Sequence, residues 1–112
     1  MPTEISRDEL KQAIDNDEVD YVFDARGHGE YNKSHIKGAT SLPADDAVRG
    51  IGLPEKKRDM IVFYCTDPDC PASAKAARAA EKRGYSNVYR YKGGIKGWKQ
   101  AGLPTAAQEL HN

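Results

Sequence analysis

Two thiols five positions apart, Cys65 and Cys70, are the residues of this chain best suited to covalent chemistry. Cys65 closes the apolar run Met60-Ile61-Val62-Phe63-Tyr64 and opens a loop, Thr66-Asp67-Pro68-Asp69-Cys70-Pro71, that leads through Ala72 and Ser73 into an alanine-rich stretch. A short apolar run bounded by turn residues predicts a buried strand, and open α/β folds bind ligands at the C-terminal ends of such strands. A free thiol with a pKa of about 8.5 is only a few per cent thiolate at neutral pH; lowering that value by about two requires about 2.7 kcal/mol of preferential stabilisation of the anion. Loop amides and a helix N-terminus can supply it, and the same donors can hold an oxyanion or a persulfide. From the strand alone, Cys65 reads equally as a nucleophile or as an inert core thiol, because cysteine is commonly buried.

Cys70 admits two readings as well. If Pro71 takes the first helical position, as proline prefers, Cys70 becomes the N-cap and its thiolate faces the positive end of the helix. It then serves as a second reactive thiol or only as a small cap. Two cysteines with no nearby pair of histidines cannot supply four ligands, so no metal site is expected.

The elements that must position this loop are legible in outline. Ser6 and Glu9 form a capping box, and Leu10, Ala13 and Ile14 recur at helical spacing over 7–16. Residues 19–24 predict a strand, Gly27 to Lys33 a loop, 36–42 a second strand, and 44–58 only short helical turns. The spacing of Ser73, Ala76, Ala77 and Ala80 predicts a helix over 72–83, with Lys75, Arg78 and Lys82 opposite and Gly84 as its stop. Residues 87–91 predict another strand, and Gly93-Gly94 turn into a last helix anchored by Trp98. Residues 105–112 read as a frayed tail. Strands alternating with helices argue for a mainly parallel sheet with helices on both faces.

Length and charge bound the rest. A chain of 112 residues suits one domain, with its core at about 5–104. Lys plus Arg and Asp plus Glu balance at 17 each, so nothing favours a nucleic acid as main partner. The start of the chain has no basic-then-apolar leader and no run approaches the roughly 18 apolar residues of a membrane helix, so a soluble, cytoplasmic protein without a membrane partner is expected. Two cysteines are too few for a secreted disulfide scaffold and point to reactive thiols or a redox-sensitive pair.

Four segments in order resemble the rhodanese family: Asp24-Ala25-Arg26, the run Glu30-Tyr31-Asn32-Lys33-Ser34-His35-Ile36-Lys37-Gly38-Ala39, Tyr64-Cys65, and the closing block Gly93-Gly94-Ile95-Lys96-Gly97-Trp98-Lys99-Gln100-Ala101-Gly102-Leu103-Pro104. The resemblance implies a rhodanese-like three-layer α/β/α fold with a mainly parallel sheet of about five strands. It also implies a sulfurtransferase without cofactor, in which Cys65 takes sulfane sulfur from a small donor such as thiosulfate or a polysulfide and passes it to a thiophilic acceptor, a small molecule or a protein thiol. The residues from Thr66 to Ser73 are then the substrate-binding loop. Asp24, Arg26 and His35 surround it as a supporting layer: the first two pin loops by charge-assisted hydrogen bonds, and His35 packs rather than acting as a base. His28 and His111 have no evident partner.

The loop departs from the family pattern, which is rich in glycine and serine and places an arginine or lysine five positions after the cysteine. Here Cys70 holds that position. Pro68 and Pro71 remove amide donors, Asp67 and Asp69 bring negative charge, and the loop is about two residues longer. Lys75 and Arg78, in the following helix, are candidates to fold back over it, although both suit a solvated face; the run Lys56-Lys57-Arg58 is a further solvated edge that could rim the site. A spacer of four residues lets the sulfurs meet, so Cys70 is a candidate resolving thiol that attacks a Cys65 persulfide. The alternative is a catalytically weak module that senses oxidants through the thiol pair or binds a protein. A phosphatase or arsenate reductase on a related fold is disfavoured because Pro71 stands where that chemistry needs an arginine.

Overall fold

Ser6 starts the first helix as its spacing with Glu9 predicts: Ser6 Oγ accepts from the Glu9 amide at 3.1 Å, and Glu9 Oε1 accepts from the Ser6 amide at 2.9 Å. The computed structural model describes residues 2–108. The chain runs β1 (Thr3–Ile5), α1 (Arg7–Asp15), β2 (Tyr21–Asp24), α2 (His28–Lys33), β3 (His35–Ile36), β4 (Thr40–Ser41), α3 (Ala44–Val48), β5 (Ile61–Tyr64), α4 (Ala72–Lys82), β6 (Val88–Tyr91), α5 (Gly94–Gln100) and β7 (Thr105–Ala106). α1 ends in a Schellman arrangement: Asp17 takes the left-handed conformation at φ 58°, and the Glu18 amide reaches back to the Ala13 carbonyl at 2.9 Å.

Five strands form a parallel sheet in the order β1, β6, β5, β2, β4. Central β5 is fully buried on both faces, which is why its sequence is a continuous apolar run rather than an alternation. On one face Phe23, Ile61, Phe63 and Val88 pack against the buried alanines of α3 and α4. Ala76, Ala77 and Ala80 are fully buried there, so α4 approaches the sheet along a narrow small-residue stripe. On the other face Val22, Val62, Tyr64 and Tyr91 meet Leu10 of α1, Ile36, and Ile95 and Trp98 of α5. The three-layer α/β/α architecture with a parallel five-stranded sheet is thus the one the sequence implied.

Several local expectations are corrected. The segment from Gly27 to Lys33 is not a loop; α2 occupies most of it, fastened where Arg26 Nη2 donates to the Ser34 carbonyl at 2.6 Å. Residues 36–42 do not form one strand, because Gly38 at φ 89° turns the chain between β3 and β4, which lie in different sheets. Residues 105–106 are not frayed: β7 pairs antiparallel with β3, Ile36 opposite Thr105. Strand β1 escaped the sequence reading. His111 lies outside the described residues. Among the described residues, no helix is long and apolar enough to cross a membrane.

Candidate functional site

β5 delivers Cys65 to the C-terminal edge of the sheet, where the thiol-bearing residue is 1% exposed. The loop that follows is held from a distant part of the chain. The first turn of α5 donates to it, Ile95 N to the Cys65 carbonyl at 2.9 Å and Lys96 N to the Thr66 carbonyl at 3.0 Å. Gly94 makes this approach possible: its φ is +68°, and a Cβ there would lie 2.5 Å from the carbonyl carbon and oxygen of Thr66. The paired glycines are therefore part of the thiol loop's support, a role that sequence reasoning missed.

Inside the loop, Asp67 organises a turn by accepting from Asp69 N at its Oδ1, at 3.0 Å, and from Cys70 N at its carbonyl, at 3.2 Å. The amides of Asp69 and Cys70 are thereby committed, and Pro68 and Pro71 have none. The turn brings Cys70 back over Cys65, and the two are joined as a disulfide with Cα atoms 6.2 Å apart. Pro71 does not open the helix from within as expected. It is itself the N-cap of α4, already at helical φ and ψ of −81° and −9°, its carbonyl accepting from Lys75 N at 3.0 Å. Cys70 therefore stands one position before the cap. The predicted loop residues Thr66 to Ser73 are contiguous around the sulfur pair, with Ser73 buried in the first turn of α4.

A cation reaches this loop from β6. Arg90, partly buried, donates from Nε to Ser73 Oγ at 2.9 Å and from Nη2 to the Cys70 carbonyl at 3.4 Å. No sequence signal marked it, since it is one charged residue in a strand whose register is set by pairing with Phe63. The candidates named from sequence go elsewhere. Lys75 pairs with Asp45 at 2.8 Å, and Arg78 lines a groove with Val48, Lys82 and Arg83. Lys57 donates to the Arg83 carbonyl at the far end of α4 and lies 4.2 Å over the Tyr85 ring, so this member of the basic run does not rim the loop.

Beneath the strand ends lies a buried polar network. Asp24, wholly buried, accepts from Arg26 Nε at 2.9 Å and Nη2 at 2.7 Å, from the Arg26 amide at 3.0 Å and from Tyr64 Oη at 3.1 Å. Tyr64 Oη in turn accepts from Ile36 N at 3.0 Å. Burial, then the Asp24 charge, pushes the Tyr64 phenol far above its ordinary range, so it stays a protonated donor. Burial opposes the Arg26 charge, but the hydrogen bonds and charge of Asp24 outweigh it and leave the guanidinium's pKa raised. His35 stacks on Tyr31 with ring centroids 3.8 Å apart and its Nδ1 donates to the Tyr31 carbonyl at 2.9 Å. His28, for which the sequence suggested no partner, has one: its Nδ1 lies 2.7 Å from Ser41 Oγ. All these groups tie α2 and β3 to the sheet, and none of their hydrogen bonds reaches either sulfur.

A parallel α/β sheet with helices on both faces and a cysteine-bearing loop at the end of its central strand defines the class as a three-layer α/β/α domain with its candidate site at the strand ends. The rhodanese-like domain family matches residues 6–101, and this chain belongs to that family, one of sulfur transfer. The chain is 36% identical over 100 residues to the HTH-type transcriptional regulator Rv0324 of Mycobacterium tuberculosis, covering 89% of this chain and 43% of that protein. It is 30% identical over 95 residues to YrkF of Bacillus subtilis, named as a candidate sulfur carrier, covering 85% and 50% respectively. The chain thus spans half or less of the length of these two relatives. The solution structure of the rhodanese-like domain of Alr3790 from Anabaena superposes with a TM-score of 0.81 at 27% identity, over 96% of this chain and 80% of that one.

Proposed function

We propose that this chain is a sulfurtransferase that carries sulfane sulfur on Cys65 and uses Cys70 as a resolving thiol. The observation that carries the reading is the meeting of the two sulfurs in one loop at the end of β5. In the reduced protein the Cys65 thiolate attacks the sulfane sulfur of a donor. A new bond forms to Cys65 Sγ, the donor's sulfur–sulfur bond breaks, and the donor's remainder leaves with the electron pair. A thiophilic acceptor then attacks the outer sulfur and restores the Cys65 thiolate. If no acceptor arrives, the Cys70 thiolate attacks Cys65 Sγ, hydrosulfide leaves, and the disulfide remains until a thiol reductant reopens it. A reducing, cytoplasmic setting suits that cycle.

The loop favours a polysulfide or a small persulfide over thiosulfate. Asp67 and Asp69 repel a dianion, and the amides of Asp69 and Cys70 are already engaged. The test is intact mass of the reduced protein after exposure to each donor. Polysulfide is expected to add one sulfur to wild type and to Cys70→Ser but not to Cys65→Ser, with a longer-lived adduct in Cys70→Ser. Thiosulfate is expected to load at least about tenfold more slowly, the equivalent of about 1.4 kcal/mol in barrier. Absence of any Cys65 adduct from either donor would overturn the reading. The closed disulfide and the engaged amides favour one alternative, a thiol redox sensor, which reversible disulfide formation without sulfur loading would establish.

A further inference from the structure

The loop carries two carboxylates and two prolines, yet the thiol cycle above requires a stabilised sulfur anion. Arg90 is placed to stabilise one. Its guanidinium reaches across from β6 to Ser73 Oγ and the Cys70 carbonyl. Its neighbours in the sheet register are Phe63, which is apolar, and Glu4 on the exposed edge strand β1. Its two hydrogen bonds go to a hydroxyl and a carbonyl, and none of the ion pairs seen among the described residues includes it. A partly buried guanidinium without a counter-ion keeps its field available for an anion formed nearby.

We propose that Arg90 is the positioning residue for Cys70, fastening its backbone to β6 and supplying the positive charge beside which the Cys70 thiolate forms. The proposal rests on the resolving role of Cys70. In that step the thiolate, its proton given to solvent, attacks Cys65 Sγ; the Cys65–Cys70 bond forms, the persulfide bond breaks, and hydrosulfide takes away the electron pair. Arg90 favours the attacking thiolate, and in the reverse sense it favours Cys70 as leaving group when a thiol reductant attacks Cys65 Sγ. Other charged groups stand on the loop and on the elements packed against it, among them Lys96 in the first turn of α5, whose amide holds the Thr66 carbonyl and whose charge acts in the same direction as Arg90. Asp67 and Asp69 act against the thiolate, and Glu4, beside Arg90 in the sheet register, acts in the same sense; Lys75 is engaged by Asp45, and the first amides of α4 act in the same direction as Arg90.

The test needs no sulfur donor, so its failure is separate from failure of the transfer reading. In reduced Cys65→Ser protein, the pH midpoint for alkylation of Cys70 is measured alone and combined with Arg90→Gln, which keeps hydrogen-bond donors but removes the charge. Arg90→Lys restores the charge in a third protein, and Arg90→Met provides a second neutral side chain. The neutral variants are expected to raise the midpoint by about one pH unit, with lysine returning most of the shift. An unchanged midpoint in Arg90→Gln, or a lysine variant that behaves like the neutral ones, would overturn the proposal. Polysulfide loading of Cys65, measured in parallel by intact mass, tests the transfer reading on its own.

Discussion

Tyr64 and Cys65 are sequence neighbours with separable tasks, and that separation can be tested at single residues. Tyr64 Oη donates to buried Asp24 and accepts from Ile36 N, so Tyr64→Phe leaves a buried amide and a buried carboxylate oxygen each short of a partner. The expected cost is about 1–3 kcal/mol in denaturant unfolding, while sulfur loading of Cys65 per folded molecule stays unchanged. Asp24→Ala is harsher. It strands Arg26, whose side chain is 9% exposed, and is expected to cost about 3–5 kcal/mol. The two faces of this region differ in legibility for a physical reason. Asp24 and Arg26 were readable because they stand in a contiguous segment that resembles the family's pattern, and an acid–base pair at a strand end suits loop-pinning hydrogen bonds. Arg90 was not, because its contacts to Ser73 and Cys70 bridge 17 and 20 positions and exist only through strand pairing.

Among the elements, α5 governs the loop although its sequence lies about thirty residues from Cys65. Its first turn holds the Cys65 and Thr66 carbonyls, and it can approach only because Gly94 lacks a side chain. Gly94→Ala places a Cβ against backbone and forces an L-residue to φ +68°. It is expected to cost about 3 kcal/mol or more and to loosen the loop, read as a lower melting temperature together with faster alkylation of the reduced thiols. Of the elements that sequence reasoning found, α1, α4 and β5 carry the strongest local signals: a capping box, an alanine stripe, an unbroken apolar run. Those it missed are short and stabilised from outside. Strand β1 has three residues and draws its order from β6, α2 carries Gly29 and is held by Arg26, and β7 exists by pairing with β3.

For the whole molecule, a redox cycle at the loop requires that the fold survive with the disulfide open. The core argues that it does. The two apolar layers are centred on β2, β5 and β6, and the sulfur pair closes only a short loop with a sequence separation of 5 at their edge. Loop-closure entropy for so small a ring amounts to about 2 kcal/mol. For a domain of this size, that lowers the melting temperature by about 8 °C without removing cooperativity. Calorimetry of the oxidised and reduced protein, with Cys65→Ser/Cys70→Ser as the permanently open reference, reads this directly. A single reduced-state transition close to that of the double variant is the expected result. Loss of the cooperative transition on reduction would make the disulfide a structural staple, and neither thiol could then cycle in a folded protein.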